Sequence, residues 1–122
     1  MLKKPRKVSK ATLQRKADRL LQEAFRKVYK TCEICGKPMA CAHHVFPKSM
    51  SSNLRYDWDN LVAICHGCHF RHHNGDPTIH AVIMKKRGKA WYSKLLKKKQ
   101  TIAKTDEAWY LGKIGALQAI NG

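Results

Sequence analysis

The chain has 122 residues, enough for one domain around one modest core. Its 25 lysines and arginines against 8 acidic residues give a formal charge of +17, which suits a polyanionic partner, nucleic acid before an anionic membrane surface. No apolar run reaches transmembrane length and the basic N-terminus lacks the apolar stretch of a signal peptide, so a cytoplasmic, reducing setting is expected, where paired cysteines are metal ligands before they are disulfides.

Residues 1–8 read as a basic disordered arm carrying Lys3, Lys4, Arg6 and Lys7. An amphipathic helix follows over 9–31, with Leu13, Ala17, Leu20, Leu21, Ala24, Phe25 and Val28 on one stripe and Ser9 or Thr12 as its cap. Its opposite face is almost wholly basic and includes Arg15 and Arg19. Cys32–Pro38 is a tight turn, Met39–Phe46 a strand, Pro47–Asp59 a polar loop and Asn60–Ile64 a second strand. A short helix then runs to His73 and ends at Asn74-Gly75. The remaining segment, 76–122, is helical: Asp76-Pro77 opens one helix, Gly88 stops it, Trp91, Tyr92, Leu95 and Leu96 lie on the next, and Thr105 or Asp106 starts the last, whose apolar positions are Trp109, Leu111, Ile114, Leu117 and Ile120. The expectation is one α+β domain with a small core at 32–75.

Two Cys-x-x-Cys turns, Cys32/Cys35 and Cys65/Cys68, suit one tetrahedral ion, and soft thiolates select zinc. A closed four-sulfur shell leaves no position for water, so its role is structural. The long interval between the turns must hold structure of its own. The fifth cysteine, Cys41, reads as a small core residue on a strand.

That interval contains His43-His44 and Asn60, and His69 and His73 follow on the helix. His69 and His73 are four apart and share a helical face. Imidazoles from His43, His69 and His73 would hold a divalent ion (Mg²⁺, Mn²⁺, Ni²⁺ or Zn²⁺) with open positions, and His72 is the rival to His73. Neighbours on a strand point to opposite faces, so His43 and His44 do not both bind that ion in a regular strand.

The order Cys-x-x-Cys, His-His, Asn, Cys-x-x-Cys-His resembles the HNH endonuclease family, and within it the domains braced by a four-cysteine zinc. The resemblance implies a ββα-metal core, metal-dependent cleavage of DNA, His44 as the general base, His43 and His69 as ligands of the catalytic ion, His73 as a further helical ligand, and Asn60 as the residue that holds the loop and helps fix the base. It also implies products bearing 5′ phosphate. A wider similarity joins Leu13–Leu20, Arg55–Asn60 and Asn74-Gly75-Asp76 to phage recombination endonucleases of the NinG (Rap) type, which are associated with branched DNA. The chain departs from that type in having His43 where glycine is common and His69 where asparagine is usual.

On this reading neutral His44 takes a proton from water, and its other ring nitrogen is expected on a backbone carbonyl. Arg55 and Arg71 are candidate phosphate clamps, with surface arginine the equal alternative. Lys85, Lys86, Arg87, Lys97 and Lys98, with Arg15 and Arg19, would contact the DNA backbone. Trp91 and Tyr92 read as core before they read as base-stacking platforms. The competing class is a non-catalytic zinc-finger-like nucleic-acid-binding protein, which leaves the histidines and Asn60 unexplained. A homodimer would serve paired cuts, with the last helix as its surface, although packing on the chain's own core is the other use of that helix.

Overall fold

The computed structural model describes residues 8–122. The expected basic arm therefore lies, but for Val8, outside the described residues. The elements run α1 (Lys10–Val28), β1 (Cys41–His44), single 3-10 turns at Ser52–Leu54 and Trp58–Asn60, β2 (Leu61–Ile64), α2 (His66–His73), α3 (Pro77–Gln100) and α4 (Glu107–Asn121). The two strands form an antiparallel hairpin with Ala42 opposite Ala63 and His43 opposite Val62. Of the expected strand over Met39–Phe46, only Cys41–His44 is regular.

Three of the four α-helices begin where the sequence supplies an oxygen for the free N–H groups of the first turn. Ser9, not Thr12, caps α1, accepting from the Thr12 N–H. Asp76 caps α3 ahead of Pro77, and Asp106 caps α4. Gly88 interrupts α3 with φ 86° and ψ 167°, a left-handed backbone that an L side chain resists, so the helix is two segments meeting at a kink.

One core lies between α1, α4 and the hairpin: Leu13, Ala17, Leu20, Leu21, Ala24 and Phe25 meet Tyr110, Ile114 and Leu117 over Leu61 and Ala63. Val28, Leu111 and Ile120, read from the sequence as members of apolar stripes, are exposed. The buried set on α4 is spaced 110, 114, 117, and position 111 is turned off that face by one residue's rotation. A second cluster joins β2 and the cysteines to Ile79 and Ile83 of α3, and a third packs Leu95 on Phe46 and Leu54. The hairpin is thus covered on one face by α1 and α4 and on the other by α3, which also packs on α2.

Candidate metal centre and active site

The first cysteine turn is closed by backbone. Cys32 N–H donates to Lys37 O at 2.6 Å and Gly36 N–H to Cys32 O at 2.9 Å, with Gly36 at φ 78°. Glu33 N–H donates to Ala63 O, which docks this turn beside the hairpin. The second pair sits at the start of α2, where Cys65 is the N-cap and its sulfur accepts from Cys68 N–H. The four sulfurs all lie within 4.8 Å of one another, and Cys35 Sγ stands 3.5 Å from Cys65 Sγ. Four ligands at the ~2.3 Å zinc–sulfur length would stand about 3.8 Å apart around a tetrahedral ion, so the cage has the size of a zinc site. Its electrostatics agree. The Cys68 N–H holds Cys65 down to about 7, whereas burial and the neighbouring sulfurs push Cys68 up to about 12. Thiols so crowded do not all ionise on their own; a divalent cation lets them.

The imidazoles gather on the other side of α2. A pocket of about 490 Å³ is lined by Cys41, His43, His44, Lys48, His69, His72 and His73, among others. His69 Nε2 and His73 Nε2 face each other at 2.9 Å across one helical turn. Two nitrogens bound at about 2.1 Å and at right angles to each other would stand about 3.0 Å apart, so the pair has the spacing of a chelate. His43 is buried and sets its ring edge-on to His69 (centroids 5.3 Å) and closer to His72 (4.6 Å). Among the described residues only the four cysteines make a group of three or more donors within 4.8 Å of one another, so the histidines share a pocket without closing a cage of that tightness. Cys41 Sγ lies 3.6 Å from His69 Nδ1, the nitrogen turned away from His73. Cys41 is therefore a neighbour of the pocket and not simply core.

Burial lowers His43 to about 3, reinforced by the surrounding histidines. Burial likewise lowers His44, His69 and His72, so these rings are neutral near pH 7 and keep a lone pair for a metal or a proton. His44 Nε2 lies 2.8 Å from the carbonyl of Arg55. A carbonyl only accepts, so the proton sits on Nε2 and Nδ1 is unprotonated.

Asn60 is fully buried and spends its amide on the loop between the strands. Its Oδ1 accepts from Phe46 N–H at 2.8 Å, and its Nδ2 donates to Phe46 O at 3.1 Å and Leu54 O at 3.2 Å. It fastens both ends of the loop that delivers Arg55 to His44.

Several of the expected DNA-facing cations are otherwise engaged. Arg55 forms a two-pronged pair with Asp18, Nε–Oδ1 2.8 Å and Nη2–Oδ2 2.5 Å, with its side chain 16% exposed, so it is not an open phosphate clamp. Arg87 is held by Glu33, Asp59 O and Leu61 O, Lys98 by Asp57 and Asp59, and Lys86 by Glu33 O. The common reason is that each lies beside a carboxylate or carbonyl brought from a distant segment, which a charge count does not reveal. Arg19 pairs with Glu23, Arg15 donates to Thr12 and Arg71 pairs with Asp76, all on the surface. Lys85 and Lys97 carry no ion pair among the described residues. Trp91 donates to Asp59 O and lies under Arg87, and Tyr92 stacks on Phe46, so both belong to the packing.

Three residues of the pocket's surroundings escaped the sequence reading: Lys48 and Gln22, which line the pocket, and Asp18, which reaches from α1 to Arg55 on the adjoining loop. The signal was present as two polar side chains four apart beside an apolar stripe.

Residues 32–75 match the family model described as HNH endonuclease. The match runs from the first cage cysteine to the glycine after α2 and covers both donor clusters. No curated protein and no solved structure matches the chain. Among the described residues no helix is long and apolar enough to cross a membrane.

Proposed function

We propose that this chain is a metal-dependent DNA endonuclease of the HNH type, acting in a reducing cytoplasm, host cytoplasm if phage-encoded. The observation that carries the reading is the pairing, in one pocket, of a histidine fixed by a carbonyl with Nδ1 open and of two histidines whose Nε2 atoms face each other at 2.9 Å. His44 is the general base, accepting a proton from water at Nδ1 while Arg55 O holds the proton on Nε2. His43, His69 and His73 would hold the cation, with His72, which lies nearest His43, as the alternative to His73. A divalent cation at this point supplies electrostatic stabilisation of the charge that grows on the phosphate and on the leaving 3′ oxygen. Lys48, at the pocket, attracts the phosphate, and Asn60 keeps the loop shut on His44. Zinc in the cysteine cage braces the hairpin against α2.

The charge of +17 supports DNA as the partner, with Lys85, Lys97, Arg15, Arg19 and Arg71 as backbone contacts that set affinity and not sequence choice. The resemblance to phage recombination endonucleases extends the proposal to branched DNA, and comparing a labelled four-way junction with a matched linear duplex tests that extension. Cuts in both strands would call for a homodimer, which sedimentation with the duplex reads.

The decisive assay incubates plasmid DNA with Mg²⁺, Mn²⁺ or Ni²⁺ against an EDTA control. His44→Ala is expected to lower cleavage by roughly 10²- to 10⁴-fold while DNA binding, zinc content and melting stay as in the parent. Undiminished cutting by that variant removes His44 as the base. Absence of metal-dependent cutting by the parent leaves the non-catalytic zinc-stapled binder.

A further inference from the structure

α1 sends two polar side chains, one turn apart, toward the hairpin. Gln22 exchanges two hydrogen bonds with Ala42 of β1, accepting from its N–H at 2.8 Å and donating to its carbonyl at 3.2 Å. Asp18 accepts two from the Arg55 guanidinium and a third from Tyr56 Oη at 2.9 Å. Arg55 and Tyr56 lie on the stretch that carries the carbonyl facing His44 Nε2. That stretch belongs to no strand, and the nearby backbone hydrogen bonds, Arg55 N–H to Ser52 O and Asp57 N–H to Leu54 O, are both long at 3.3 Å. Asn60 pins the loop at Phe46 and Leu54 but does not touch Arg55. The position of the Arg55 carbonyl therefore depends on what holds the side chains of residues 55 and 56: Asp18 binds both, and the Tyr56 ring also packs on Trp109 and Tyr110.

We propose that Asp18 is a positioning residue for His44: by anchoring Arg55 and Tyr56 to α1 it fixes the carbonyl that orients the imidazole and keeps Nδ1 turned to substrate. The inference rests on the reading of His44 as general base. It assigns catalytic consequence to a residue outside the segment matched by the HNH model, on a helix whose visible features are an apolar stripe and a basic face. It also gives Arg55 a task that uses its backbone toward His44 and its side chain toward α1, and neither toward DNA.

The test uses the full-length, zinc-loaded chain. Asp18→Asn keeps the shape and removes the charge; Arg55→Ala keeps the carbonyl and removes the tether. Each is expected to lower kcat on plasmid DNA roughly tenfold with KM changed less than about twofold. The double variant should be no slower than the worse single, because both act through one link. Long-range ¹H–¹⁵N spectra should show His44 as a single Nε2–H tautomer in the parent and as a mixture in either variant. Wild-type kcat in Asp18→Asn, an unchanged His44 tautomer, or losses that multiply in the double variant would overturn the proposal. Should Asp18→Asn melt below the assay temperature, Arg55→Ala decides by the same kcat and tautomer readings. His44→Ala is assayed alongside. If it is inactive while Asp18→Asn is fully active, this inference alone fails; if it cuts normally, the base assignment fails with it.

Discussion

The cysteine cage and the histidine pocket flank the same short helix, and they are built in opposite ways. The cage takes its four sulfurs from two backbone-locked turns, and all four converge within 4.8 Å. The pocket takes its imidazoles from a strand and a helix face; two of them meet at 2.9 Å, and about 490 Å³ of open space adjoins them. A full shell has no position for a reactant, so its free energy goes into folding. A cation held by imidazoles alone would keep coordination positions open and would contribute little to stability. Position relative to α2 sorts the two: the cage lies at its N-terminus, where Cys65 is the cap, while His69 and His73 project from one face further along.

The sharpest way to break this contrast is to remove one donor from each side. Cys68→Ala is expected to lose the fold, since a structural zinc site contributes on the order of 10 kcal/mol or more, comparable to the whole stability of a small domain. Circular dichroism and metal analysis read this directly, and a normally melting variant would make the cage dispensable. His69→Ala should do the reverse. Its melting temperature and zinc content stay within error of the parent, while the affinity for a second divalent ion, titrated by calorimetry with Mn²⁺ or Ni²⁺ on zinc-loaded protein, falls at least tenfold and cleavage falls with it.

Asn60 sharpens the comparison because it belongs to the pocket's wall but is built like the cage, fully buried and with all its hydrogen bonds internal. Asn60→Ala leaves the Phe46 N–H without a partner and should cost about 2–3 kcal/mol in urea unfolding at unchanged zinc content. A loss below about half a kcal/mol would mean that the loop is held elsewhere.

The smallest expected effect is electrostatic. Burial pushes Asp18 up, but hydrogen bonds from Arg55 and Tyr56 outweigh it and leave the carboxyl below its ordinary 3.8. A group whose folded value is depressed stabilises the fold above its unfolded value and ceases to do so as pH falls through the folded one. Asp18→Asn should therefore melt lower than the parent at pH 7, and the gap should shrink as pH drops below about 4. Thermal melts of both proteins across pH 3 to 7 measure it. A gap that holds constant to pH 3 would show that the carboxylate's charge is not what ties α1 to the loop.

The composition and the spacing of donor residues determined a good deal. Both cysteine turns, the strand–loop–strand–helix order, the cap at Asp76 and the break at Gly88 were legible, and the caps of α1 and α4 were narrowed to Ser9 or Thr12 and to Thr105 or Asp106, because each depends on local chemistry: a ligand type at fixed spacing, an oxygen ahead of a helix, a glycine where φ is positive. The pairing of His69 with His73 was legible for the same reason, as helical geometry places positions four apart on one face. Only tertiary structure decided which cations face outward. Arg55, Arg87 and Lys98 look like free charge in the chain and are each claimed by a carboxylate that arrives from another segment. It also decided that His43 sits nearest His72, that Leu111 faces outward while Tyr110 is buried, and that Asp18 and Gln22 reach the hairpin at all. Such outcomes turn on contacts between residues far apart in the chain, whose distance and direction are set by how helices and strands pack, and no periodicity within a single element encodes them.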